Sequence, residues 1–153
     1  MQTVTTLQIR DAFVEKILEI EEPTFESLRD KGWNYAPSPR KNGRAVIQPG
    51  LRNFDIIFSA AVPNYAWVGG SGTAYSARVA IATSYSGVSS DQIEHVLTAD
   101  AVDLRRALCQ LRDPTLPGLA NVITQGVQNL AYDAQANLYG EHVFEIHYHQ
   151  STD

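Results

Sequence analysis

Residues 52–64 read "RNFDIIFSAAVPN" and residues 74–85 read "AYSARVAIATSY". In the first stretch Phe54, Ile56, Phe58, Ala60 and Val62 alternate with Asn53, Asp55, Ile57, Ser59 and Ala61. In the second, Tyr75, Ala77, Val79, Ile81 and Thr83 hold one parity. Successive side chains of a strand point to opposite faces, so a period of two predicts two strands with an apolar side each. Between them lies "YAWVGGSGT", a glycine-rich reversal, and the pair reads as a long antiparallel hairpin. The run from Val68 to Gly72 has the glycine content of a phosphate-binding loop. It has no lysine and no helix after it, so a turn is the better reading.

Helical patterns flank this hairpin. Leu7, Ile9, Phe13, Val14, Ile17 and Leu18 draw one apolar stripe, with Thr5 or Thr6 as N-cap and Pro23 closing the segment. A short helical piece through Phe25 and Leu28 is expected to end at Gly32. Farther on, Ser89, Ser90 and Asp91 start a helix expected to run, with a break near Thr98, to about Arg112. Val96, Leu97, Ala101, Leu104, Leu108 and Leu111 make its stripe, and Arg105, Arg106 and Arg112 lie late, where the helix dipole favours cations. Asp100 and Asp103, three apart, read as solvated carboxylates rather than an acid–base pair. Cys109, the single cysteine, reads as a small buried hydrophobe and excludes an internal disulfide framework.

Residues 31–50 are different in character: three prolines and three glycines erase any period. Trp33 and Tyr35 stand beside the cations Arg40, Lys41 and Arg44. So long an irregular stretch is uncommon in a compact domain and is often functional. After the second helix, Val122, Ile123, Val127, Leu130 and Tyr132 lie in two short strand-like segments around Gly126. Asn137 and Gly140 then read as turn residues before a last strand at 142–149. The predicted fold class is α+β, a mostly antiparallel sheet with a long β-hairpin flanked by two main helices. It forms one domain over 1–153 with an irregular arm at about 31–50. Helices on one face leave the other sheet face to be covered, which a partner chain could do.

The 153 residues can bury a core on their own, roughly 70% of the unfolded surface for a chain of this size. A net charge of −5 without a basic run argues against phosphate-driven nucleic-acid binding. No stretch approaches the roughly 20 apolar residues of a membrane span, and the N-terminus lacks a signal-peptide pattern. Three of the four histidines fall in "GEHVFEIHYH", 140–149. On a strand, His147, His149, Glu145 and Val143 share one face, and His142, Phe144, Ile146 and Tyr148 share the other. Two imidazoles and a carboxylate could chelate zinc or copper, but they point away from the apolar face and lack a further ligand. No nucleophile elbow, dinucleotide fingerprint or zinc-finger spacing occurs. The residues therefore assign no catalytic side chain, cofactor or metal, and the chain does not read as an enzyme.

The segments in order are the helix "LQIRDAFVEKILEI", the hairpin "FDIIFSAAV…AYSARVAIATSY", the helix "DLRRALCQL" and the terminal strand "GEHVFEIHYH". This layout resembles the tail terminator proteins of long-tailed bacteriophages, also called tail-completion or neck proteins. The resemblance covers most of residues 4–149. It implies a homo-oligomeric ring, typically a hexamer, at the head-proximal end of the tail tube. That ring ends tube polymerisation and joins the tail protein to the head connector or stopper. DNA would pass through its lumen without specific binding. The implied location is the virion tail or neck, with assembly in the host cytoplasm, and no membrane. Closed rings need head-to-tail contacts, and aromatic side chains are enriched in such contacts. Trp33, Tyr35, Arg40, Lys41, Arg44, Tyr65, Trp67 and Tyr75, in or beside 31–50 and 62–75, are the expected interface residues. Two alternatives stand beside this: another neck or tube component, such as a head-completion protein or tube subunit, or a small metal-dependent enzyme using His147, His149 and Glu145.

Overall fold

The computed structural model describes residues 3–21, 34–63 and 74–150. Along the chain these form α1 (Thr6–Leu18), β1 (Asn34–Pro37), β2 (Arg40–Lys41), β3 (Arg44–Ala45), β4 (Leu51–Phe58) and β5 (Val62–Pro63). Then come β6 (Ala74–Tyr85), a single 3-10 turn (Ser90–Gln92), α2 (Ile93–Leu108), β7 (Leu119–Tyr132) and β8 (Leu138–His149). The fold is α+β. Its main sheet runs β1-β4-β6-β8-β7, with β5 also on β6. Only β1 lies parallel to its neighbour; the other pairings are antiparallel. Neither helix among the described residues is long and apolar enough to cross a membrane.

The alternation of 52–64 and 74–85 has its structural counterpart in β4 and β6, which pair from Asn53↔Ser84 to Phe58↔Val79. The glycine-rich residues that would form the hairpin tip lie outside the described residues, as does the expected helical piece at 25–32. A second strand pair, β7–β8, was only half legible. Residues 119–132 form one strand instead of two segments, because Gly126 (φ +94°) sits at a register shift that absorbs an extra residue. β8 begins at Leu138, four residues earlier than expected. Gly140 belongs to the strand, where a Cβ would come within 3.1 Å of Leu130. The turn itself is held by the Asp133 carboxylate, which accepts from the backbone N–H groups of Gln135 and Asn137.

α1 and α2 pack on one face of the sheet. Thr5 caps α1 reciprocally with Gln8, which satisfies two otherwise orphaned donors. Ile9, Phe13 and Ile17, spaced four apart, bury completely against the inward side chains Phe54, Ile56, Val79, Ile81, Phe144 and Ile146. Each such side chain contributes about 1.5–3 kcal/mol on leaving water. α2 runs without a break at Thr98 and ends at Leu108. Its inward side differs from the expected stripe: Ala101 is exposed, whereas Ala99, Asp100 and Asp103 are buried beside Val96, Leu104 and Leu108. Apolarity alone misplaced that face because two of its inward residues are charged. Of the arm at 31–50, the described residues 34–50 are likewise more ordered than a loop. Asn34–Pro37 adds to the sheet edge, and β2–β3 makes a two-stranded finger around Asn42 and Gly43, both at positive φ.

Candidate functional site

Six polar side chains from five elements meet under α2. β4 starts with Arg52, whose parity matches Phe54 and Ile56, so the strand geometry drives a guanidinium into the core. Asp100 and Asp103, one helical turn apart on α2, meet it there: Nη1 lies 3.1 Å from Asp100 Oδ1 and 3.3 Å from Asp103 Oδ2. The guanidinium stacks 3.7 Å over the ring of Tyr35 from β1. The hydroxyls of Tyr35 and of Tyr85 from β6 each donate to the Asp100 carboxylate, one to each oxygen. His142 from β8 brings Nε2 to 3.8 Å from Asp100 Oδ2, and that nitrogen has no hydrogen-bond partner.

Burial governs the charges here. Loss of hydration raises Asp100 from 3.8 to about 7, against the pull of Arg52. The same loss lowers His142 from 6.5 to about 4. Tyr35 is pushed well above 10, first by burial and then by the Asp100 charge, so it stays a donor. His142 is therefore neutral at physiological pH, and its approach to Asp100 is not an ion pair. Asp100 is fully buried. Asp103 alone reaches a cleft of about 270 Å³ between the helices, shared with Lys16, Glu19, Ile20, Arg106 and Ala107. The cluster joins sheet to helix around the fully buried Asp100.

The expected interface residues are dispersed. Tyr35 is a correction: it is 5% exposed, edge-on to Phe54 at 6.2 Å, and belongs to the internal cluster instead of a contact arm. Parallel pairing of β1 with β4 turns its ring inward, which four residues without alternation could not announce. Tyr75 is half-buried, 6.3 Å from Tyr148. Arg40, Lys41 and Arg44 do come together, on the β2–β3 finger, with Arg40 3.2 Å from Asp55 and the other two exposed. Trp33, Tyr65 and Trp67 lie outside the described residues. The histidines divide as expected, with His142 inward and His147 and His149 outward; His147 Nε2 lies 3.4 Å from Glu145 Oε1. No group of three or more His, Cys, Asp or Glu among the described residues could hold a metal ion. Cys109 is partly buried, and desolvation raises its thiol pKa, which disfavours the reactive thiolate.

Arg52, Asp100 and Asp103 as a unit were missed. A signal did exist: an arginine in the inward parity of an apolar strand, together with two aspartates inside a helix stripe. Fold and cluster together define an α+β domain with helices on one sheet face and an internal charged brace. The chain matches no protein-family model and no curated protein sequence.

Proposed function

We propose that this chain is a structural virion protein that assembles into a ring, a hexamer, at the head-proximal end of a phage tail tube. In this reading the ring ends tube polymerisation, joins the tail to the head connector and lets DNA pass through its lumen. The observation that carries the reading is the division of the molecule. Its charged chemistry is closed inside as a brace, while the sheet face opposite the helices presents Ile57 and Ile123 to solvent, 49% and 44% exposed. A two-layer domain with a bare sheet face suits a subunit built to be covered by its neighbours. The resemblance of the sequence to the tail terminator proteins supports the same reading.

Solution mass and negative-stain imaging test it. A closed particle of six chain masses that shortens tubes when added to polymerising tube protein is the expected result. Open filaments of the chain alone would favour the tube-subunit alternative. Turnover of a small molecule by the purified chain would overturn the structural reading altogether.

A further inference from the structure

α1 lies on the helix side of the sheet, and the bare face and the β2–β3 finger lie on the other. Each side carries apolar surface; α1 adds an acidic stripe, and the finger adds exposed cations. On α1, Leu7 and Leu18 are 64% and 47% exposed. Asp11 and Glu15, four apart, share a stripe between them. Arg10 is turned away over the Phe58 ring, 5.2 Å from its centroid, and Lys16 is occupied by Glu19 at 3.3 Å. Asp11 and Glu15 therefore form no ion pair among the described residues. The helix presents leucines flanking uncompensated carboxylates.

The opposite face answers this pattern. Ile57 and Ala80 lie side by side across β4 and β6 with the buried Val143 of β8 next to Ala80, and Ile123 of β7 stands opposite Glu145, two residues along β8. Three of the chain's 12 lysines and arginines stand at the rim of that face, on the finger. Ala45 and Ile47, in and just after the finger, line a cleft of about 320 Å³ with Ala82 and Tyr139 of the bare face, which places the finger on that side. Lys41 and Arg44 are exposed. A helix of 13 residues is about 20 Å long and about 10 Å wide, and four strands span about 15 Å, so the face can seat one helix.

We infer that copies of this chain associate head to tail, with α1 of one copy seated on the bare sheet face of the next and Asp11 and Glu15 against that copy's Lys41 and Arg44. The inference deepens the ring reading and rests on it for the closure of the chain of contacts. Because the two surfaces lie on opposite faces of one domain, they cannot pair about a two-fold axis. The contact is heterologous, which closes into a ring or runs on as a filament according to its rotation.

A charge swap tests it. One variant carries Lys41→Glu and Arg44→Glu, the other Asp11→Lys and Glu15→Lys. All four sites are exposed, and circular dichroism checks that each variant folds. Masses are measured by light scattering for the wild type, each variant alone and an equimolar mixture. Each variant alone is expected to associate at least about tenfold more weakly, since two surface attractions become repulsions. The mixture should recover wild-type mass, because the acidic finger of one variant meets the basic helix of the other and the two native surfaces still match. A wild-type ring indifferent to both pairs overturns the inference and leaves the ring reading standing. Swap-sensitive open filaments uphold the inference and end the ring reading. A wild type that stays monomeric at its highest soluble concentration overturns both. Duplex DNA bound by the wild type and lost with the finger variant, at unchanged mass, assigns the finger to phosphate and also overturns the inference.

Discussion

Asp100 and His142 face one another, and burial moves their proton affinities in opposite senses. Asp100 holds its proton up to about pH 7 in the fold, against 3.8 when exposed. A carboxyl raised in this way stabilises the fold fully below 3.8 and loses that contribution as pH rises through 7. At about 1.4 kcal/mol for each pH unit, the separation amounts to about 4 kcal/mol. His142 does the reverse. Its folded value near 4 lies below the ordinary 6.5, so its contribution is present above 6.5 and lost as pH falls through 4, about 3 kcal/mol in all. Between these limits folding takes up one proton at Asp100 and gives one up at His142. The two slopes cancel, and the pair makes wild-type stability nearly flat from about pH 4 to about pH 6.5.

His142→Phe removes one side of that balance. The ring fits the same place between the cross-strand neighbours Ile81 and Val127, and the lost nitrogen had no hydrogen-bond partner to leave behind. Relative to the wild type, the variant should lose about 3 kcal/mol of stability as pH rises from about 4 to about 7, the rise that His142 would have supplied. Asp100→Asn removes the other side and should gain about 4 kcal/mol relative to the wild type over the same span. Urea unfolding followed by circular dichroism, at intervals from about pH 4 to about pH 8, reads both. Subtracting the wild-type curve removes the background of exposed groups. If the two variants' curves run parallel to the wild type, no proton is exchanged in the cluster and the reasoning is wrong.

Three further outcomes follow from the same structure. Arg52→Met removes the cation that Asp100 and Asp103 share and should cost about 3–5 kcal/mol at neutral pH by urea unfolding; a loss under about 1 kcal/mol would sink the brace. Gly118→Ala should lower the melting temperature by several degrees. Its φ is +93°, and a Cβ there would fall 2.6 Å from the Thr3 carbonyl carbon, so an unchanged transition in calorimetry would contradict the close approach. Protein dialysed with zinc or copper should retain only substoichiometric metal by mass spectrometry. One tightly held equivalent per chain would restore the metal reading of His147, His149 and Glu145.

How much of this was legible in the residues depends on the physical signal each element carries. β4 and β6 alternate cleanly because one face meets the core and the other meets water, and a period of two is the direct trace of that asymmetry. α1 is equally plain as a helix, its Ile9, Phe13 and Ile17 spaced by one turn, but Leu7 and Leu18 of the expected stripe are exposed. β7 was read as broken because Gly126 sits at a register shift, and such a shift interrupts the alternation without ending the strand. β1 left no trace at all: four residues pairing in parallel have too short a pattern to see. In the sequence Tyr35 therefore looks like an exposed aromatic, whereas its ring lies under a guanidinium.

The cluster was hidden for a different reason. Charged residues default to the surface because a lone charge pays heavily for burial, so Asp100 and Asp103 looked solvated. That default fails only when the compensating charge arrives from a distant part of the chain. Here Arg52 lies 48 residues from Asp100, and its presence in the core depends on pairing that no local window contains. A buried ion pair of this kind is weak as a source of stability but strong against wrong arrangements, because any register that separates Arg52 from the aspartates leaves charges stranded. A slip of β4 by one residue would turn Arg52 out to the bare face. The brace thereby ties the parity of β4 to the position of α2, and through that parity it decides that Ile57 and Asp55, and not Ile56 and Phe54, face outward beside the finger. The make-up of that outer sheet face is set from inside the core.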